Sequence, residues 1–486
     1  MATHSLPRSG VRDLTTGPIN RSLLLFALPT LGSNVLQSLN GSINTIWVGR
    51  FLGEDALAAT SNANLVMFLM FSAVFGFGMA TTIMIGQSMG RRDLEGARRA
   101  LGSAIGLLVA VSVVIAALGW IFAPALLRLL ATPPGAFPLA LAYLRVIFLC
   151  MPPTFLMVLL TMALRGMGDS MTPLWAMLLA VVLDSTLNPV FILGLGPAPE
   201  MGIAGSAMAT LIANVVTTIA LVAYIYRRDL PVRLRGAEWR FLRPDAALVR
   251  VILAKGLPMG LQMVVLSGSA LVMIGLVNRE GIVTTAAYGV TSQLWTYIQM
   301  PAMAIGAAVS AMAAQNIGAD RWDRVDRIAR SGVIINLLLT GGLVLLITLI
   351  DAQLLGVFLA AGSPAIPIAE HIHAVVSWSF TLFGVTLILS AVMRANGIVM
   401  APLVILFITA FPVRIGLALL LLQDFGADAI WWSFPAGSVG SMLLTWAYYR
   451  RGSWRKVRLV VPPGPDECRE AAFAESEPAG RVTPTG

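Results

Sequence analysis

Of the 24 carboxylates in this 486-residue chain, one stands apart by position. Asp184 is the sole charge between Asp169 and Glu200, in a long apolar run. Asn188 follows four residues later, one helical turn on and therefore on the same face. An ionisable group in such a run is costly to place in lipid, which marks it as a functional candidate. A carboxylate there can take up and release a proton, or hold a small cation with help from neighbouring oxygens. Arg414, alone between Arg394 and Asp424, is its basic counterpart. It could select substrates by charge, or snorkel and pair within its own surroundings. Arg145 lies nearer the end of its run and reads as an interfacial anchor. Other chemistry is poorly provided for. Cys150 and Cys468 make no disulfide framework or multi-cysteine metal site. His371 and His373 have no third histidine near them, His4 being far away, so no metal site is expected. No nucleotide-binding loop occurs, no catalytic cluster is found at one face, and no cofactor is expected.

Hydrophobic residues make up 57% of the chain, charged residues only 12%, and the mean hydropathy is +0.82. That leaves too little polar surface to clothe a soluble globule, so lipid must be the solvent. A helix needs about 20 apolar residues to cross the hydrocarbon layer, and the charge-poor runs supply twelve of them. The uncharged run from Ser22 to Gly49 is too long for a cleavable leader and is expected to remain as the first span. With twelve spans and a cytoplasmic N-terminus, 28 of the 33 Lys and Arg residues fall on the inner side. Arg50, Arg128 and Arg279 are left outside, and Arg145 and Arg414 within spans. This is the asymmetry of a multi-pass protein of the cell's inner (plasma) membrane, with both termini cytoplasmic. The net charge of +9 then faces anionic lipid, and no nucleic-acid partner is needed to explain it.

Three motifs occur twice at one offset. Leu28-Pro29 returns as Leu257-Pro258, Gly-Gln-Ser-Met-Gly (86–90) as Ala-Gln-Asn-Ile-Gly (314–318), and the Arg165-Gly166-Met167-Gly168 stretch (164–173) as 393–402, each 228 or 229 residues later. The chain reads as a six-helix unit written twice. The expected organisation is a cytoplasmic N-terminal tail (1–20), an N-lobe (21–226), a basic linker (227–255), a C-lobe (256–450) and a disordered cytoplasmic tail (451–486). Because six is even, both halves enter from the same side. That parallel-repeat plan is used by secondary transporters, in which substrate lies between two rocking lobes.

Tyr143-Leu144-Arg145, Leu164-Arg165-Gly166-Met167-Gly168-Asp169-Ser170, Pro173 and Asn188-Pro189 resemble the fourth and fifth helices of multidrug and toxin extrusion (MATE) transporters. Ile46-Trp47-Val48-Gly49 and the Gly-Gln-Ser-Met-Gly turn are similar to that family as well. The resemblance runs over all twelve spans. It implies an all-α integral membrane fold of two pseudo-symmetric six-helix lobes set in a V, working as a monomer. It also implies secondary active efflux of cationic or amphipathic small molecules in exchange for inward H⁺ or Na⁺. A lipid-linked oligosaccharide flippase of the same superfamily is the alternative, and an integral membrane enzyme a more distant one.

In one branch of that family, carboxylates on helix one and just before the helix-five proline form a cation site. Asn44 and Asn188 occupy those positions here, and the carboxylate has moved to Asp184. Thr210 matches a further polar position. A helix-seven glutamate of another branch corresponds to Leu266. The expected ion-coupling set is therefore Asp184, Asn188, Asn44 and Thr210, with H⁺ favoured and Na⁺ the alternative. Pro29 and Pro258 occupy matching places in helices one and seven. Mid-helix proline removes a backbone hydrogen bond, and the family's use of helix one in conformational change points to a hinge. Gln37, Asn40, Asn62 and Asn64, with Gln262, Tyr288, Gln293, Trp295 and Arg414 in the second lobe, are candidates for the substrate cavity.

Overall fold

The computed structural model describes residues 12–52, 54–129, 132, 134–196, 199–359 and 362–456, and the whole described chain is helical or loop. The first half contains α1 (Ile19–Leu52), α2 (Glu54–Arg91), α3 (Leu94–Leu129), α4 (Phe137–Met167), α5 (Met171–Leu193) and α6 (Ile203–Arg227). The second contains α7 (Ala246–Val277), α8 (Ile282–Gly318), α9 (Trp322–Leu349), a short α10 (Asp351–Phe358), α11 (Ala365–Val376), α12 (Ser379–Ala395), α13 (Met400–Ile408), α14 (Gly416–Phe425) and α15 (Ala427–Arg451). By length and composition ten described segments can cross a membrane. The pair α11–α12, bent by 42° at its break, makes an eleventh. The twelfth is α15, equally long but diluted by Ser433, Ser441 and Thr445, which it buries within the bundle. The result is an all-α membrane protein of twelve spans in two six-helix lobes.

Both repeated proline helices are unbroken, since α1 runs through Pro29 and α7 through Pro258. The Ser33 hydroxyl donates to the Pro29 carbonyl at 3.0 Å. Span eleven departs from a plain helix. Between α13 and α14 the chain from Thr409 to Ile415 takes a π-helical turn that contains Pro412 and Arg414. Proline cannot donate into the i−4 ladder, and one wider turn absorbs the mismatch. The Ser269 hydroxyl of α7 donates to the Ala410 carbonyl at 3.2 Å.

The lobes meet at the end that carries the basic loops, and they do so through the repeated motif. Gln87 of α2 donates to the Ala395 carbonyl at the end of α12, at 2.7 Å. Its counterpart Gln315 of α8 donates to the Gly166 carbonyl near the end of α4, at 3.1 Å. Each bond crosses from one lobe to the other, and the two are related by the repeat. The same pairing brings backbone against backbone. A Cβ on Gly90 would lie 1.9 Å from the Gln315 carbonyl oxygen, and one on Gly318 would lie 2.1 Å from that of Gln87. Only glycine fits at this crossing.

Three segments read from sequence as tail or linker are docked instead. Leu14 is buried, its N–H donating to Gln315 Oε1 and its carbonyl accepting from Asn316. Arg321 and Arg324 hold the carbonyls of Thr15, Thr16 and Gly17. Beyond α6 a 3₁₀ turn, Gly236–Leu242, lies on α3. Arg98 donates to Glu238 at 2.6 Å and to the Pro231 carbonyl, and Arg99 pairs with Asp245. Helix α7 begins inside the expected linker because Asp245 caps it, accepting from the Ala247 N–H. Asp229 pairs with Arg233 and Arg235, and the hydrogen bond from Arg235 holds its carboxyl below the usual carboxylate range. At the far end Ser453–Lys456 forms a turn rather than disordered chain. Trp454 is fully buried against Tyr449, and its carbonyl accepts from Asn396 at 2.7 Å. The rest of the expected C-terminal tail, with Cys468, lies outside the described residues, as does His4.

Candidate functional site: a carboxylate in one lobe, a guanidinium in the other

Asp184 faces inward from α5 and is 2% exposed. Thr210 of α6 donates its hydroxyl to Asp184 Oδ1 at 2.8 Å. One turn earlier on α6, Ser206 donates to Asn44 Oδ1 of α1 at 2.7 Å. Asn40, one turn before Asn44, lies beside the Asp184 carboxyl group. Three helices thus converge on one carboxyl group, and no arginine or lysine pairs with it among the described residues. The four residues expected for ion coupling are together. Asn40, expected at the substrate cavity, belongs with them.

Asn188 differs from the expectation in detail. It is fully buried on the expected face, but its Nδ2 donates to the Asp184 backbone carbonyl at 3.0 Å, not to the carboxylate. That bond fixes the amide, and its Oδ1 is left without a partner. Asn40 Oδ1 and Ser185 Oγ are likewise buried and unpaired. A second polar knot adjoins the first. Asn214, one turn beyond Thr210, donates to Thr154 Oγ1 at 2.8 Å, and Thr154 lies against the free Cys150. Ser206 and Asn214 were not singled out from the sequence. Their signal was their four-residue spacing around Thr210.

In the C-lobe the corresponding level is aromatic and basic. Counting back 229 residues places Arg414 opposite Ser185, beside Asp184. Its guanidinium lies 3.5 Å from the centroid of Phe434, a cation–π contact. Tyr288 and Trp295 are both buried, in an aromatic cluster with Phe434. They form a wall within the lobe, not free cavity surface, because α8 packs them against α15. Gln262 is also engaged, accepting from Arg394 and donating to the Val399 carbonyl. Gln37 and Gln293 are exposed. The side chains of Asn62 and Asn64 lie outside the described residues. Arg145 stacks on Trp120 of α3 at 5.4 Å.

A buried carboxylate in one of two duplicated membrane-spanning lobes, and a guanidinium one position from its repeat equivalent in the other, fit a two-lobed membrane transporter. A family model described as MatE matches residues 29–190 and again 258–420, once for each lobe. The chain belongs to that family. Among curated relatives, "Probable multidrug resistance protein YoeA" of Bacillus subtilis is 37% identical over 442 residues, which are 90% of this chain and 95% of the relative. "Probable multidrug resistance protein YpnP" of the same organism is 30% identical over 451 residues, 92% and 99% of the two chains. A solved MOP superfamily transporter from Pyrococcus furiosus has the same fold, with a TM-score of 0.84 at 21% identity over 93% of this chain and 100% of that one. The chain is a multi-pass membrane transporter of this family.

Proposed function

We propose that this transporter is an antiporter, exporting cationic or amphipathic compounds in exchange for protons taken up at Asp184. One observation carries the reading: a buried carboxylate that, among the described residues, is paired with no base and accepts a hydrogen bond from the neutral Thr210 hydroxyl. Such a group responds to an ion by changing its own charge, and so changes which arrangement of α1, α5 and α6 is favoured. An ion drives transport only through different affinities for the two states. Loading Asp184 from outside and discharging it inside would alternately relax and tighten this helix triad.

A second reading has its own support. Asn40 Oδ1 and Asn188 Oδ1, both buried and unpaired beside Asp184, together with its carboxylate, are a start on the oxygen shell that Na⁺ requires. The test is efflux of a fluorescent cation from proteoliposomes under a pH gradient alone and then a Na⁺ gradient alone. Asp184→Asn, which keeps size and hydrogen bonding but loses the titratable charge, is expected to abolish ion-driven efflux and retain drug binding. Asn188→Asp on that background is expected to recover part of it. Wild-type efflux with unchanged ion dependence in Asp184→Asn would overturn the assignment. Efflux driven by Na⁺ and not by pH would select the second reading.

A further inference from the structure

We infer that Lys255 and Arg394 form a site for a phosphate group, carried by an anionic lipid or a soluble phosphoester, at the seam between the lobes. The site does not depend on which drug or ion is transported. Both side chains line one shallow crevice, with Ile83 and Met84 of α2 on the opposite wall and Gly397 of the turn after α12 beside them. The N-lobe thus offers apolar surface there, and the C-lobe offers both charges. A partly buried cation is ordinarily matched by an acceptor. Lys255 is only partly exposed and has no hydrogen-bond or ion-pair partner among the described residues. Arg394 Nη1 reaches Gln262 Oε1 at 3.4 Å, and its Nη2 has no acceptor. Arg394 Nε is sealed from solvent, but the Lys255 ammonium and Arg394 Nη2 are not. Both therefore remain open to a ligand at the mouth of the crevice.

Two like charges lining one crevice repel, and an anion between them offsets that repulsion. Phosphate suits the pair, since its several oxygens can meet an ammonium and a guanidinium from different sides. The place agrees. Arg394 adjoins Ala395, which takes the Gln87 bond at the end that carries the basic loops, where headgroups of anionic lipid gather. Leu257 and Leu261 of the same helix as Lys255 are exposed, so acyl chains can lie along α7. The repeat supplies a comparison. Counting back 229 residues, Lys255 corresponds to Phe26, Arg394 to Arg165 and Gly397 to Gly168. There the chain fills its own seam. Phe26 is buried, and a Cβ on Gly168 would lie 2.5 Å from the Arg12 carbonyl oxygen and 3.3 Å from Leu14. In the second copy an ammonium replaces the ring, and the turn lines a crevice instead.

Native mass spectrometry of the full-length transporter, with phosphatidylglycerol or glycerol 3-phosphate added to the detergent solution, tests this without requiring transport. The readout is the affinity of the first molecule bound. Lys255→Gln and Arg394→Gln are each expected to weaken it about tenfold, the order of magnitude for loss of one charge-assisted bond. Lys255→Arg keeps the charge and is expected to stay within about threefold of wild type. Arg250→Gln, an exposed position on the same helix outside the crevice, is expected to change it less than about twofold. If Arg394→Gln does not fold, the two Lys255 variants carry the test. Competition between the ligands separates the sources. Lipid retained against millimolar glycerol 3-phosphate assigns the site to a headgroup, and lipid displaced by it assigns the site to a soluble phosphoester. Wild-type affinity in Lys255→Gln and Arg394→Gln, or equal weakening in Arg250→Gln, would overturn the proposal. So would a wild-type protein that binds neither ligand.

Discussion

Thr210 shows how much a single hydroxyl can matter in lipid. It donates to Asp184 Oδ1 and also approaches the Ser206 carbonyl at 3.3 Å, so it ties the carboxylate to α6. A hydrogen bond to a charged group is worth about 1.5–3 kcal/mol, or roughly tenfold and upward in an equilibrium constant. Thr210→Val keeps the shape and deletes the donor. It should change the apparent ion constant of transport by about tenfold, while drug affinity at saturating ion changes little. Titrating efflux against the driving ion measures this, and an unchanged constant would remove Thr210 from the ion site. The pair Asp184 and Asn188 was legible in the sequence, because a lone charge in an apolar run is conspicuous and the helical period places its neighbour. Ser206 and Asn214 were not, since serine, threonine and asparagine also hold membrane helices together at many neutral places. The Asn188 amide bond to the main chain needed the fold to reveal it.

At the level of elements, the repeated glutamine–glycine motif was plain in sequence as a repeat, but its role was not. Sequence periodicity says that two segments are equivalent; it does not say that they touch. In the structure they cross at the basic end of the lobes, each glutamine reaching a carbonyl in the other lobe. A transporter that opens inward must break this crossing. Gly90→Ala or Gly318→Ala puts a methyl group onto a carbonyl oxygen at 1.9 or 2.1 Å. Overpacking of this kind costs about 2 kcal/mol, which is roughly a thirtyfold shift between states. Spin labels on the ends of α2 and α8 should report a wider separation in these variants, with efflux lost. Unchanged distances would show that the crossing does not limit closure. Pro29 belongs to the same scale. Helix α1 supplies Asn40 and Asn44 to the proposed ion site and passes through Pro29 on the way to the lobe contact. Pro29→Ala restores a backbone donor and removes the ring clash. Turnover should fall while equilibrium drug affinity holds, and an unaffected turnover would reduce Pro29 to a packing feature.

For the whole molecule, the sequence made the twelve-span, two-lobe plan legible, because lipid imposes a length on every span and the repeat imposes parity. It hid the order in the connections, since Leu14, the 236–242 turn and Trp454 sit among polar residues that look like loose chain. All three dock at the end where the lobes meet, and that end carries the arginines. Orientation is the remaining step. From the charge asymmetry this end is expected in the cytoplasm, and thiol labelling tests the parity directly. Arg235→Cys and Val460→Cys, each made singly in a chain lacking Cys150 and Cys468, should both resist a membrane-impermeant thiol reagent in intact cells and react after permeabilisation. One of the two labelled from outside would mean an odd number of spans between them, and both labelled would invert the protein. An inverted orientation would put the glutamine crossing outside and leave the Asp184 pocket to be loaded from the wrong face. The proposed antiport cycle would then have to run through a different gate.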